Sequence, residues 1–225
     1  MPVDRVDYSG EGLSEAELLP TPWQQARLWV EAAVERSRTR GDVPEPLSIS
    51  VATVDADGAP DVRTVLMRFF DERGPGFVTC LTSAKGQQLQ GNPSIAAALT
   101  WPAMFRAIRF RGVAEELSRA EVAAYFDERP WGSRISAWTS RQSEPVEGRE
   151  SLEAAYAEYA ARWPDTGEPG EVPVPDFWGG YRIRCASVEF WGGRSNRLHD
   201  RFRFTRVGEG DLDTVAAWTV QRLQP

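Results

Sequence analysis

The stretch Leu47-Ser-Ile-Ser-Val-Ala-Thr-Val54 alternates apolar with small polar residues, the mark of a half-buried strand, because successive side chains of an extended chain point to opposite faces. A second strand is predicted at 61–70 and a third at 77–81, separated by the polar turns Asp55-Ala-Asp-Gly58 and Asp71-Glu-Arg-Gly-Pro-Gly76. Further strands are predicted at 95–101, 107–117, 180–191, 198–205 and 215–223. Short polar connections of this kind join antiparallel neighbours. Helical spacing appears where Pro22 opens a helix to about Arg40, with Trp23, Ala26, Val30 and Val34 on one side. A short helix at 83–90 stops at Gly91-Asn-Pro93, and Ser118-Arg-Ala-Glu121 has the form of a capping box that starts a helix at Arg119. Pro130 ends that helix, and two more follow at about 133–140 and 147–163. Residues 1–20 show no period and read as a flexible arm; residues 21–225 read as one domain. The fold predicted is mainly β with peripheral helices, an α+β chain whose antiparallel sheet closes into a barrel, which removes exposed strand edges.

Composition narrows the partners. Hydrophobic residues make up 41% of the 225, enough for a proper core. A net charge of −7 and a pI near 5.0 disfavour nucleic acid and anionic membranes as partners. No apolar run is long enough to span a bilayer and no secretory leader pattern opens the chain, so a cytoplasmic protein is expected. Cys80 and Cys185 sit in strand-like apolar contexts and are expected to be buried free thiols. With one histidine and no paired-cysteine pattern, no metal site is expected. Neither a Gly-x-Gly-x-x-Gly nor a P-loop pattern is present. The chain uses arginine 25 times and lysine once, at Lys85.

Several groups of residues could carry chemistry. In an extended segment, Arg197, His199 and Arg201 share one face, and two guanidiniums with an imidazole suit a planar anionic ligand; the same spacing also fits a solvated surface strand. Arg63 and Arg68, at odd separation on the second strand, face opposite ways and could serve two anionic groups. The run Thr79 to Lys85 leads from a strand into a helix N-terminus, where free amides attract phosphate. Tyr125 and Arg129 lie one helical turn apart, and Ser133 opens the next helix; a hydroxyl, a guanidinium and a helix start can cradle a phosphate. Each group also has a plain reading as capping or surface charge.

Taken in order, these pieces resemble a known family. Arg63-Thr-Val-Leu-Met-Arg68, Ser140-Arg-Gln-Ser143, Phe177-Trp-Gly-Gly-Tyr-Arg182, Glu189-Phe-Trp191, Arg197-Leu-His-Asp-Arg201 and Arg222-Leu-Gln-Pro225 are similar to segments of the FMN-dependent pyridoxine/pyridoxamine 5′-phosphate oxidases, over about residues 47–225. The resemblance implies an FMN-binding split barrel and a homodimer, with FMN in the subunit interface and a C-terminal dimerisation segment from about 177 to 225. It implies FMN contacts at Arg63, Thr64, Val65, Leu66, Met67, Arg68, Val78, Thr79, Lys85, Gln142, Ser143, Trp191 and Arg201. It implies a substrate-phosphate cradle of Arg68, Tyr125, Arg129 and Ser133, with Arg197 and His199 as the catalytic pair that holds the pyridine ring. The reaction implied is oxidation of pyridoxamine or pyridoxine 5′-phosphate to pyridoxal 5′-phosphate, with O2 reduced to H2O2. A related flavin oxidase acting on a tricyclic, phenazine-like substrate without a phosphate is the alternative. Four positions depart from the family pattern: Arg68 replaces a usual lysine, Val78 a common tyrosine, Ala84 a phosphate-binding arginine and Ala107 a glutamine.

Overall fold

The computed structural model describes residues 7–168 and 170–225. Among these residues nine antiparallel strands form one sheet: β1 (Ser48–Val54), β2 (Pro60–Leu66), β3 (Phe69–Asp71), β4 (Gly74–Cys80), β5 (Ser94–Trp101), β6 (Arg106–Glu116), β7 (Trp178–Gly192), β8 (Asp200–Arg206) and β9 (Trp218–Arg222). The ladder runs β2-β1-β5-β6-β7-β4-β3, and β8 pairs with the far half of β7 and carries β9.

The predicted strand at 61–70 is broken, and the break closes the barrel. Its first half pairs with β1, Ser48 opposite Leu66, while its second half pairs with β4, Phe69 opposite Gly76. Between them the Met67 amide donates to the Leu47 carbonyl at 2.9 Å and the Arg68 amide to the Gly76 carbonyl at 2.8 Å. One bent segment thus occupies both ends of the sheet, joining them by covalent continuity. Met67 turns into the core at the bend and is 2% exposed. A β-bulge at Arg111/Gly112 sets the curvature of β6 against β7. A side chain is excluded there, since a Cβ on Gly112 would lie 2.0 Å from the Arg184 carbonyl oxygen.

The helices cover the barrel. α1 (Pro22–Arg40) has the predicted bounds; Thr21 caps it by accepting from the Gln24 amide, and Gly41 at φ 70° ends it. Its buried face is broader than predicted, taking in Trp29 and Ala33, and Trp29 meets Phe190 edge-on at 5.4 Å. α2 (Ala84–Gly91) is capped by the Ser83 hydroxyl. α3 (Arg119–Asp127) starts at the predicted capping box, and α4 (Trp131–Thr139) and α5 (Arg149–Arg162) follow. These last three form a second apolar cluster around Val122, Phe126, Ile135 and Trp178. Cys80 and Cys185 are buried and unpaired, and burial pushes the Cys185 thiol up to about 12.

Two further expectations are corrected. The segment after β7 is not extended: Ser195–Arg197 forms a 3-10 turn with Asn196 at φ 56° and Arg197 at φ 61°, so Arg197 does not share a strand face with His199 and Arg201. The stretch 7–20, expected to be free, lies on the barrel; residues 1–6 of that arm lie outside the described residues. Leu13 is buried and its amide donates to Asp200 Oδ2 at 3.0 Å. Arg222 bonds both Glu15, at 2.6 and 2.7 Å, and Asp200, at 2.5 Å. Arg194 Nε also donates to Asp200, so one buried carboxylate ties the stretch around Leu13, the 193–199 loop and β9 together. Substituting Asp200 by Asn weakens these charge-assisted bonds. It is expected to speed proteolytic cleavage within 7–19 about tenfold, followed by mass spectrometry. An unchanged cleavage rate would mean that apolar contacts alone hold the segment.

Candidate active site

A cavity of about 520 Å³ opens where the β2–β3 bend meets the second apolar cluster. Thr64, Val65, Leu66 and Arg68 line it from the bent strand, Val78 from β4, Tyr125, Glu128, Arg129, Pro130 and Ser133 from the α3–α4 corner, and Gln142 from the loop after α4. Two of the four charged or hydroxyl groups expected to cradle a phosphate sit either side of Pro130, which brings α4 in directly behind α3. Arg129 lies with its guanidinium over the Trp178 ring at 4.9 Å, and its Nη1 is buried without a hydrogen-bond partner among the described residues. Burial lowers its pKa, and the nearby Arg68 charge acts in the same direction. Arginine still stays charged at neutral pH. Among the described residues neither Arg68 nor Arg129 forms an ion pair. The Ser133 amide is taken by the Pro130 carbonyl at 2.8 Å, so the hydroxyl is the group that Ser133 offers to the cavity.

Gln142 connects this cavity to a second cationic site. The Lys85 ammonium is buried in the first turn of α2 and donates to Gln142 Oε1 at 2.7 Å, Thr79 Oγ1 at 3.2 Å and Ser83 Oγ at 3.4 Å. All three acceptors are neutral. Burial lowers the lysine pKa, and Arg63 adds to the effect. A buried cation whose partners are all neutral has room for an anion, and its place at a helix start reinforces that preference. Arg63 reaches the same region from β2, donating to Thr53 Oγ1 at 2.6 Å, Gln88 Oε1 at 2.9 Å and Asp61 Oδ2 at 2.5 Å. The donor set Lys85, Arg63, Thr79 and Gln142 fits the phosphate of the FMN implied by the resemblance. Met67, expected among the flavin contacts of that strand, is instead buried in the core. Ser143 is exposed, at φ 76°.

Trp191, Arg197, His199 and Arg201 do not line this cavity. They gather at the end of β7 and the start of β8. The His199 ring lies 4.8 Å from Trp191 and 5.2 Å edge-on from Tyr8, between centroids. Its Nδ1 accepts the Arg194 amide proton at 3.1 Å, which places the proton of the neutral ring on Nε2. Arg197 is exposed and forms no ion pair among the described residues. Arg201 is held by the buried Glu189, at 2.7 Å from Nη2 and 3.0 Å from Nε. Tyr8 joins this group from the 7–20 stretch, and an aromatic in a polar, aperiodic run is its one trace in the sequence.

Residues 33–162 match the model of the pyridoxamine 5′-phosphate oxidase family, and residues 178–225 match the pyridoxine 5′-phosphate oxidase C-terminal dimerisation region. The chain belongs to the pyridoxamine 5′-phosphate oxidase family. A pyridoxine/pyridoxamine 5′-phosphate oxidase of Kineococcus radiotolerans is 44% identical across 98% of this chain and 97% of its own. Among solved structures, PhzG from Burkholderia lata 383, in complex with tetrahydrophenazine-1-carboxylic acid, aligns with a TM-score of 0.82 at 29% identity, over 96% of this chain and all of that one. A pyridoxamine 5′-phosphate oxidase-related, FMN-binding protein from Nostoc punctiforme shares the fold, with a TM-score of 0.64 at 20% identity over 91% and 97% of the two chains. Within the pyridoxamine 5′-phosphate oxidase family, the dimerisation match covers the segment that carries Trp191, Arg197, His199 and Arg201. Ala107 faces Trp191 across the β6–β7 ladder, and Ala84 opens α2 beside Lys85.

Proposed function

We propose that this chain oxidises pyridoxamine 5′-phosphate, pyridoxine 5′-phosphate or both to pyridoxal 5′-phosphate, as an FMN-dependent oxidase. The observation that carries the reading is the Arg129 guanidinium, whose buried Nη1 has no partner among the described residues, beside Arg68 in the lining of a polar cavity, a cradle for a dianionic phosphate. Arg68, Tyr125, Arg129 and Ser133 hold the substrate phosphate. Lys85, Arg63, Thr79 and Gln142 hold the flavin phosphate, and Thr64, Val65, Leu66 and Val78 form the wall along the ring system. Bound FMN supplies the hydride acceptor for the carbon attached to pyridine C4, and O2 takes the electrons on as H2O2. The alcohol gives the aldehyde directly, and the amine gives an imine that water hydrolyses to aldehyde and ammonia. Arg197 and His199 clamp the pyridine ring, His199 through the Nε2 proton left free by its Arg194 contact. Their effect is orientation of the reacting carbon. They lie away from the cavity of their own chain and inside the matched dimerisation region, which supports a homodimer in which each copy completes the other's site. The two buried free thiols support the reducing cytoplasm as the setting, and among the described residues no helix is long and apolar enough to cross a membrane.

The likeness to PhzG favours a second reading, oxidation of a non-phosphorylated tricyclic substrate. One experiment separates them. The purified protein is expected to be yellow, and pyridoxamine 5′-phosphate added without oxygen is expected to bleach it. A protein that stays yellow with both vitamin B6 phosphates but bleaches with a dihydrophenazine would overturn the first reading in favour of the second.

A further inference from the structure

We propose that Asp61 competes internally with the flavin phosphate for Arg63 and thereby holds the FMN affinity of this chain below what its cations alone would support. The inference rests on the reading above, in which Arg63 and Lys85 receive that phosphate. Asp61 and Arg63 are two residues apart on β2 and so share a face. Asp61 Oδ2 sits 2.5 Å from Arg63 Nη2 and accepts from Gln88 Nε2 at 3.3 Å, while Gln88 Oε1 accepts from Arg63 at 2.9 Å. Gln88 lies one turn after Lys85 on α2, so the carboxylate, the guanidinium and the ammonium belong to one charge group. Asp61 is the one carboxylate that contacts either cation among the described residues.

The contact is built to be exchangeable. The Arg63 side chain is 18% exposed, but that of Asp61 is 49% exposed. A half-solvated carboxylate gains little from such a pair, whereas a phosphate dianion offers the same guanidinium more charge and a second oxygen. Entry of the phosphate displaces Asp61 from Arg63 and leaves a carboxylate facing the incoming dianion. Both effects oppose binding, and both vanish when the carboxylate becomes an amide.

The test is a titration of the full-length apoprotein with FMN, read by quenching of flavin fluorescence. Asp61→Asn is expected to lower the Kd for FMN by about 3- to 10-fold at low salt, with the gain shrinking as ionic strength rises. Riboflavin, which has no phosphate, is expected to bind parent and variant alike. Asp61→Ser serves as a second variant and is expected to act in the same direction. An FMN Kd that is unchanged or raised in both variants overturns the inference, since it would mean that Asp61 is inert or orients Arg63 for the ligand. An equal gain for riboflavin also overturns it. Lys85→Met separates the two layers of the argument. If it leaves FMN binding intact, the phosphate lies elsewhere and the underlying reading fails. If it weakens FMN about tenfold or more while the Asp61 variants do nothing, the role of Asp61 alone fails.

Discussion

Replacing Arg129 by alanine is expected to raise KM for pyridoxamine 5′-phosphate by about 10- to 100-fold, with FMN content close to that of the parent. The loss of one charge-assisted bond to a phosphate costs about 1.5–3 kcal/mol, which converts to that range of affinity. The Arg129 Nη1 is buried and has no protein partner among the described residues, so its removal orphans no carboxylate. The phosphate is remote from the carbon that reacts, so kcat at saturation is expected to change far less than KM. Unphosphorylated pyridoxamine lacks the group that Arg129 would hold and is expected to lose little. Arg129→Lys keeps the charge but not the planar stack on Trp178, and is expected to fall between parent and alanine. Steady-state kinetics with both amines, alongside the flavin absorbance of each preparation, checks this. An unmoved KM would place the substrate phosphate elsewhere, and a parallel loss of FMN would make Arg129 part of the flavin site instead.

The second large effect concerns stability. Glu189 is 4% exposed and bonds Arg201 through 2.7 and 3.0 Å contacts, Arg203 through 2.9 and 3.1 Å contacts, and Arg109 at 3.3 Å. Glu189→Ala is expected to destabilise the protein by about 3 kcal/mol, the lower end of the cost of breaking a buried ion pair. The lower end applies because Arg203 and Arg109 keep access to water. Glu189→Gln, which retains the shape and some acceptors, is expected to lose less. Burial pushes the Glu189 pKa up, but the arginine contacts outweigh it, and the net value lies below the ordinary 4.5. A carboxylate with a depressed folded pKa contributes stability that is present above its unfolded pKa and lost as pH falls through the folded one. The parent is therefore expected to lose more stability than Glu189→Gln between about pH 5 and pH 3. Urea denaturation across that range tests the sign, and parallel curves for the two proteins would show that Glu189 contributes nothing through its charge.

Much of the architecture could be read from residue order. The α1 boundaries, the Ser118–Glu121 capping box and the alternation in β1 and β5 all depend on neighbours within a few positions, where periodicity and cap chemistry act. The strand at 61–70 looked continuous because its β-propensity is unbroken; the bend at Met67–Arg68 comes from the need to close a sheet, which no local pattern records. The turn at Ser195–Arg197 has one weak local mark, Asn196, a residue type that tolerates positive φ; Arg197 at φ 61° carries no such signal, and alternation alone reads the segment as extended.

Candidate chemistry divides along the same line. Residue types in order were enough to indicate the family and to nominate Lys85, Arg129 and His199, because each belongs to a short motif. The folded chain was needed to show that Gln142 links the lysine site to the cavity, that Arg201 is held by Glu189, and that Tyr8 packs on His199. It was also needed to show that the stretch around Leu13 is anchored, through a Leu13–Asp200 bond that spans 187 positions. Caps, turns and alternation are local free energies written within a turn or two of chain. The burial of a charge and the partner it finds depend on which distant segments the barrel brings together, and that is settled when the core packs.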